Sequence, residues 1–312
     1  AEQGIPRFGI GKVDDLFAPR RTNVKRDIAL LLSYPTERYS QASGSPLHHQ
    51  IRSYGAALEF LHYPYDVVLE EQFAAGKLAN CRVLVAAGVN NLYPTSAEPL
   101  KQFVHNGGVL VLGLEAMAED EYGNPLAWGD FLDLPLGAPD ENAPLSTLAL
   151  TIPQAAGLPG AIKAKRHRTA TPNASWQTIG SLDGQPAVCV KTYGKGKIYY
   201  VGARMPDYAL AAVVGGVLND VGVQPSIELR RADNGEQEIN VETHRTVQNG
   251  LSGYFLFNWD QYPKRVRLRM PELASGAAVI DPLDGWRYEV KDGEIALVLL
   301  PQDRRVLVCG PD

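Results

Sequence analysis

The apolar positions change period twice along the chain. "DIALLLSY" (27–34) is a continuous apolar run, the pattern of a strand covered on both faces. In "SPLHHQIRSYGAALEFLHYP" (45–64), Leu47, Ile51, Tyr54, Ala57, Leu58 and Leu61 recur at helical spacing, which predicts an amphipathic helix. Ser45-Pro46 supplies an N-cap and a first-turn proline, and Pro64 marks the end. "YDVVLE" (65–70) and "CRVLVAAG" (81–88) predict two further strands. "TSAEPLKQFVHNGG" (95–108) predicts a helix capped by Thr95 or Ser96, with Glu98 at its positive start and Asn106-Gly107-Gly108 at its close. "VLVLG" (109–113) is the next strand. Strand and helix alternate with short links, the pattern of a parallel sheet with helices on both faces.

That rhythm stops over 114–187, where Pro, Gly, Ala and Asp are frequent. The stretch reads as an irregular insertion with scattered short strands such as 146–152. "AVCVKTYGKGKIYYVGA" (187–203) predicts a hairpin around a glycine-lysine-glycine turn. "PDYALAAVVGGVLNDVGV" (206–223) predicts a closing helix with Val213, Val217, Leu218 and Val221 on its apolar face. Beyond 225 the helical period disappears. β-rich runs from "PSIELRR" to "RRVLVCG" follow one another, and "VRLRM" alternates apolar with basic. This predicts a small antiparallel β-sandwich or half-barrel. The expected organisation is a leader or linker over 1–26, an α/β domain over 27–225 carrying the insertion 114–187, and a C-terminal β-sandwich domain over 226–312.

Length supports more than one domain, since 312 residues exceed the usual span of about 100–200 for one. Hydrophobic residues at 45% and charged residues at 21% are ordinary globular values, with enough apolar surface for a sizeable core. The net charge of −5, with no basic block longer than the short "RRTNVKR" (20–26), argues against a nucleic-acid partner, which needs a positive stripe to displace phosphate counterions. Cys81, Cys189 and Cys309 are too few and too scattered for a disulfide framework or a zinc site, and read as buried thiols. They lean towards a reducing compartment. The opening Ala-Glu-Gln suits either a removed signal peptide or a cut from a larger polypeptide, so a cytoplasmic and a periplasmic or secreted location both stay open. No apolar run reaches the length of about 18 residues expected of a membrane span.

Candidate chemistry centres on "GGVLVLGLEAMAED" (107–120), where a strand gives way to a turn and Glu115 stands at the tip. In a nucleophile elbow, such a turn lifts a reactive side chain clear of the sheet beside oxyanion-stabilising backbone N–H groups. Glutamate is a poor acyl-transfer nucleophile. None of His48, His49, His62, His105, His167 and His244 belongs to a motif that would face this turn as a base. Glu115 therefore reads as a polar loop residue, or as an acid in an interface or sugar contact. His48 and His49 diverge by about 100° on a helix and read as a surface pair rather than metal ligands. "RHR" (166–168) reads as a wet loop, with anion binding as the alternative.

"AEDEY" (118–122), which includes Asp120, reads as a solvated turn, although paired carboxylates are what glycoside hydrolysis needs. Asn90 and Asn91 follow a strand at the position where open sheets bind ligands. Trp259 ends an apolar strand and is expected in the core. Trp128 and Trp176, in the insertion, are expected at an exposed or interfacial position where an indole face could stack on a sugar ring. "GKGK" (194–197) lies between strands rather than before a helix, so it is no phosphate loop. No cofactor and no metal are expected.

The order of "DIALLLSYP", "HHQIRSYGAALEFLHYPYDVV", "NCRVLVAAGVNNLYPTSAEPLKQFVHNGGVLVLG" and the acidic "EDEYGN" resembles the trimerisation domain of the family 42 β-galactosidases. "YGKGKIYYVGARMPDYALAAVVGGVLNDVGV" is similar to that domain's close. "GYFLFNWDQYPKRVRLRM…DPLDGWRYEVKDGEIALVLLPQDRRVLVCG" is similar to the small β domain that ends those enzymes. The resemblance covers 27–312. It implies a flavodoxin-like, class I glutamine-amidotransferase-like doubly wound sheet without its catalytic cysteine, followed by the β-sandwich. In that family the catalytic glutamates lie on a (β/α)8 barrel, so the resemblance carries no catalytic residue onto this chain.

Three readings follow. The first is a non-catalytic assembly region of a carbohydrate-active enzyme, a homo-oligomer, with a trimer as one form, whose partner is carbohydrate or a catalytic glycosidase domain. The second is a hydrolase that pairs an acid with a histidine near Asn90, Asn91 and Glu115. The third is a sugar-binding protein that uses Trp128, Trp176 and the strand-end loops.

Overall fold

The computed structural model describes residues 26–43, 48–153, 161–248, 250–270 and 273–310, which belong to two units, 26–224 and 225–312. The predicted leader before Arg26 and the predicted cap at Ser45-Pro46 lie outside the described residues, as do the side chains of His48 and His49.

In the first unit the apolar runs become parallel strands. β1 (Ile28–Leu32) is followed by α1 (Tyr34–Ser43), α2 (His48–Phe60) and β2 (Tyr65–Leu69). β3 (Val83–Ala86), the short β4 (Asn91–Leu92), α3 (Ala97–His105), β5 (Val109–Leu112) and the short β6 (Glu119–Asp120) come next. β1 pairs in parallel with β2 and β3, and β3 with β5. Helix α1 carries no apolar stripe in "YPTERYSQAS", so periodicity does not reveal it.

The stretch expected to be an irregular insertion instead extends this sheet. It contributes β7 (Leu145–Leu150), β8 (Ile162–Arg166) and β9 (Trp176–Leu182). Beyond them come β10 (Gln185–Tyr193), β11 (Gly196–Val201), β12 (Ala203–Arg204) and α4 (Asp207–Asp220). β10 and β11 form the predicted antiparallel hairpin, and β11 returns parallel to β5. The result is one ten-stranded mixed sheet in the order β12-β8-β7-β9-β10-β11-β5-β3-β1-β2.

Alternate residues of the parallel strands serve opposite faces. Ile28, Leu30, Val83, Val85, Val109 and Val111 meet α2 and α4 on one face. Ala29, Leu31, Leu84, Ala86, Leu110 and Leu112 meet α3, Met117, Trp128 and Phe131 on the other. Helix α4 is buried from Ala209 through Leu218, and not only along the expected valine stripe. The Ile152-Pro153 segment lies over its outer side: a Cβ on Gly216 would stand 2.8 Å from the Pro153 carbonyl oxygen. Ser96 does not cap α3; its hydroxyl donates to Glu70 Oε2 at 2.9 Å.

The second unit is antiparallel throughout. Its strands are β13 (Glu228–Arg231), β14 (Val241–Gln248), β15 (Leu251–Asn258), β16 (Lys264–Arg269), β17 (Ala278–Ile280), β18 (Arg287–Glu289), β19 (Glu294–Leu299) and β20 (Arg304–Cys309). They make a three-stranded sheet, β13-β16-β19, and a five-stranded sheet, β14-β15-β20-β17-β18. Leu229, Val266, Leu268 and Ile295 of the first share a core with Val241, Tyr254, Leu256 and Leu307 of the second. In β16 the arginines of "KRVRLR" face outward while Val266 and Leu268 are fully buried, as the alternation predicts. Among the described residues no helix is long and apolar enough to cross a membrane.

Candidate functional site

The carboxyl ends of the parallel strands gather the polar residues of the first unit. Ser33 follows β1, Glu70 follows β2, Asn90 and Asn91 follow β3, and the turn 113–117 follows β5. The turn can pass this close only because its first residue is glycine. A Cβ on Gly113 would lie 2.6 Å from Gln50 Oε1 and 3.0 Å from the Gly88 nitrogen. Gln50 Oε1 accepts the Leu114 N–H at 3.0 Å, and the Tyr200 hydroxyl donates to the Leu114 carbonyl at 3.3 Å. The left-handed residue of this turn is Met117, φ 51°, which is completely buried. Backbone strain is therefore stored two residues beyond Glu115, under a side chain that faces the core.

Glu115 is buried and doubly held. Its Oε1 lies 3.0 Å from His167 Nε2, and its Oε2 lies 2.9 Å from Arg168 Nη2. His167 is fixed from its backbone: its N–H donates to the Gly202 carbonyl at 2.9 Å, and its carbonyl accepts the Asp140 N–H at 2.7 Å. Arg168 also donates to the Gly137 carbonyl at 3.0 Å. The "RHR" segment is thus no wet loop. Arg168 neutralises a carboxylate beside the sheet, and His167 is only 3% exposed. Sequence reading missed this pairing because 52 residues separate Glu115 from His167. The available signal was the alternation of Ile162 and Ala164 in "IKAKR", which marks a strand delivering the next residues to the sheet edge.

Chemically, the arrangement places an acid and an imidazole in contact. The His167 Nδ1 atom is buried and has no hydrogen-bond partner among the described residues. An acyl-transfer site also needs a hydroxyl or thiol within reach of the imidazole. No such contact to His167 occurs among the described residues.

The other strand-end candidates have structural partners. Asn91 is 1% exposed. Its N–H donates to the Thr36 hydroxyl oxygen at 2.9 Å, and its carbonyl accepts the Ser33 and Thr36 hydroxyls at 2.6 and 2.7 Å. The side-chain amides of Asn90 and Asn91 both donate to Glu119 Oε2 at 3.1 Å. Asp120 closes its own turn by accepting the Tyr122 and Asn124 N–H groups, each at 2.8 Å. The Asn124 amide and these backbone donors hold its carboxyl below the usual range. Glu70 is different: burial pushes its carboxyl up, against the hydrogen bonds from Ser33, Tyr93 and Ser96. Among the described residues no three His, Cys, Asp or Glu side chains group to hold a metal ion.

Tryptophan exposure reverses the expectation. Trp128 and Trp176 are only 6% and 5% exposed. Trp128 donates to the Met117 carbonyl at 2.5 Å and packs on Phe131. Trp176 donates to Asp133 Oδ1 at 2.8 Å, and Lys191 lies over its ring. Trp259 and Trp286, by contrast, are 69% and 58% exposed. Cys189 and Cys309 are buried as expected and Cys81 is half-buried; burial pushes the Cys81 and Cys189 thiols up to about 11, which makes them poor nucleophiles at neutral pH. An open groove of about 480 Å³ lies at the opposite, amino-terminal end of the strands, among Phe73, Cys81, Arg82 and Phe103.

Fold and site together define a mixed α/β unit with a filled sheet edge, joined in sequence to an antiparallel β unit. No family model matches the chain. Its sequence relatives are β-galactosidases. It is 27% identical over 256 residues to β-galactosidase BglY of Alicyclobacillus acidocaldarius, covering 72% of this chain and 35% of that protein. To β-galactosidase LacZ of Heyndrickxia coagulans it is 27% identical over 159 residues, covering 48% of this chain and 24% of that protein. Similar solved structures are also β-galactosidases. That of Bacillus circulans sp. alkalophilus superposes with a TM-score of 0.70 at 17% identity, covering 93% of this chain and 42% of that one. Gan42B, a GH42 β-galactosidase from G. stearothermophilus, gives 0.72 at 16% identity, covering 93% and 41%. The chain therefore spans about a third or less of the length of the curated relatives it matches.

Proposed function

We propose that this chain is a non-catalytic assembly and accessory region of a β-galactosidase-like glycoside hydrolase. It supports oligomerisation and shapes a neighbouring sugar-binding site. The observation that carries this reading is the coverage: nearly the whole chain matches β-galactosidases, yet it accounts for less than half of each. The filled edge around Glu115 supports it, because the position of a nucleophile elbow is taken up by a neutralised, buried carboxylate. The order β2-β1-β3-β5-β11, all parallel and covered by helices on both faces, fits a flavodoxin-like, amidotransferase-like assembly over 27–225. In this reading the strand-end loops with Asn90, Asn91, Glu115 and Asp120 form the edge that meets a catalytic glycosidase domain. Light scattering of the purified chain tests the assembly role. A mass of three chains, or another closed multiple, is the expected result, and a strict monomer at all concentrations would contradict it.

One observation favours a second reading. His167 touches Glu115 at the strand ends, the acid–histidine pairing that a hydrolase on this fold would use. Turnover of a nitrophenyl glycoside that disappears in His167→Ala, with the variant still folded, would establish that reading in place of the first.

A further inference from the structure

We propose that the second unit carries a carbohydrate-binding platform built on Trp259. An exposed indole ordinarily lacks fixed partners, and this one has two. Its Nε1 donates to Glu242 Oε2 at 2.6 Å. Its ring stacks on Phe257 with centroids 6.0 Å apart and planes within 14°. The other oxygen of Glu242 is 2.6 Å from His244 Nε2, and the His244 ring meets Phe257 edge-on at 6.3 Å. One carboxylate thus bridges the imidazole and the indole, and both rings clamp the phenyl group between them.

The turn that holds the indole is equally fixed. Asn258, 1% exposed, donates to the carbonyls of Tyr262 and Leu300 at 2.9 and 2.8 Å, and its Oδ1 accepts the Asp260 N–H at 3.1 Å. One face of the indole is spent on Phe257 while the residue stays 69% exposed, so the outer face is presented ready-made. Strand register sets polar groups on both sides. Glu242 pairs with Phe257 from β14, and exposed Arg304 pairs with Phe257 from β20.

A flat aromatic face beside a carboxylate and an imidazole, with an exposed arginine at the paired position of the neighbouring strand, is the chemistry that recognises a sugar ring. The apolar C–H face stacks on the indole, and the hydroxyls find acceptors on one side and donors on the other. Pre-organisation removes the entropy loss that a free tryptophan would incur on binding. One exposed indole is far smaller than the face of about 800 Å² per partner that a stable protein interface covers, which favours a small neutral ligand over a second protein. The ligand class is a β-linked galacto-oligosaccharide; that identity rests on the proposed function, whereas the platform does not.

Titration of the purified chain with galactobiose and galactotetraose, followed by tryptophan fluorescence and calorimetry, tests the proposal. Maltotetraose serves as the control. Saturable binding is expected for the galacto-oligosaccharides, weakened about tenfold or more in Trp259→Ala, with Glu242→Gln weaker than wild type and the melting temperature of both variants close to wild type. Binding of maltotetraose alone, lost in Trp259→Ala, would keep the platform and remove the galactoside assignment, while the proposed function stands or falls on its own mass and turnover measurements. No binding of any sugar by the folded wild-type chain, binding unchanged in Trp259→Ala, or a smaller oligomer in Trp259→Ala would overturn the platform. The first two results leave the turnover and mass measurements that test the proposed function untouched, whereas the third would place Trp259 in the interface of an assembly.

Discussion

Trp128 and Trp176 lie beneath one face of the α/β sheet, whereas Trp259 and Trp286 stand in solvent on the β unit. For Trp128, Trp176 and Trp259 this reverses the expectation drawn from the irregular or apolar character of their neighbours. Hydrogen bonding separates the best-defined three. Trp128 and Trp176 spend their N–H groups on the Met117 carbonyl and the Asp133 carboxylate inside the unit, so the segment 114–187 is locked onto the sheet. Trp259 spends its N–H on Glu242 at the surface, which fixes the ring while leaving it exposed. An indole N–H shows where a tryptophan is anchored; burial depends on what covers the sheet face beside it.

The largest expected effect sharpens this contrast. Trp128→Ala removes a buried indole from above Phe131 and is expected to cost about 4 kcal/mol, read as a lower urea midpoint with an unchanged slope. Next comes the Lys191–Asp133 pair, 2.6 Å apart, with the Lys191 side chain only 6% exposed. Lys191→Met alone is expected to cost about 3 kcal/mol, because it strands Asp133, and Asp133→Asn added to it is expected to recover much of that loss.

The same pair gives a pH dependence. Burial pushes the Asp133 carboxyl up, but bonds from Lys191, Asn173 and Trp176 pull it further down, to well below the usual range. The unfolded chain therefore binds this proton more tightly than the folded one. Its contribution is complete above the ordinary aspartate value of about 4 and is lost as pH falls below that. Asp133→Asn is expected to flatten the acid limb of a stability–pH curve; an unchanged limb would break the assignment.

Much of this was legible in sequence. The parallel strands were, because continuous apolar runs such as "DIALLLSY" and "VLVLG" suit only a sheet covered on both sides. The β-rich character of the second unit was too, because alternation such as that of "VRLRM" fits a strand with one buried and one wet face. The insertion was not. Its strands β7 and β8 are half-exposed, and Trp128 and Phe131 are buried only because the segment folds back over the sheet. Glu115 was singled out, but its partners were not. A contact made across 52 residues leaves no local period, and "RHR" looks the same on a loop as at a buried strand end.

Smaller effects follow. Glu115→Gln leaves Arg168 without its counter-charge and is expected to cost about 2 kcal/mol. Trp259→Ala is expected to stay within about 0.5 kcal/mol of wild type, since its ring is exposed. A loss there as large as that of Trp128→Ala would erase the distinction between an anchored core indole and an anchored surface one.

The most direct measurement is hydrolysis of nitrophenyl β-galactoside by the purified chain, with Glu115→Gln alongside. The expected result is no turnover above background for either, together with a lower urea midpoint for the variant. Turnover by the wild-type chain that vanishes in a folded Glu115→Gln would contradict it, and would make the filled sheet edge an active site.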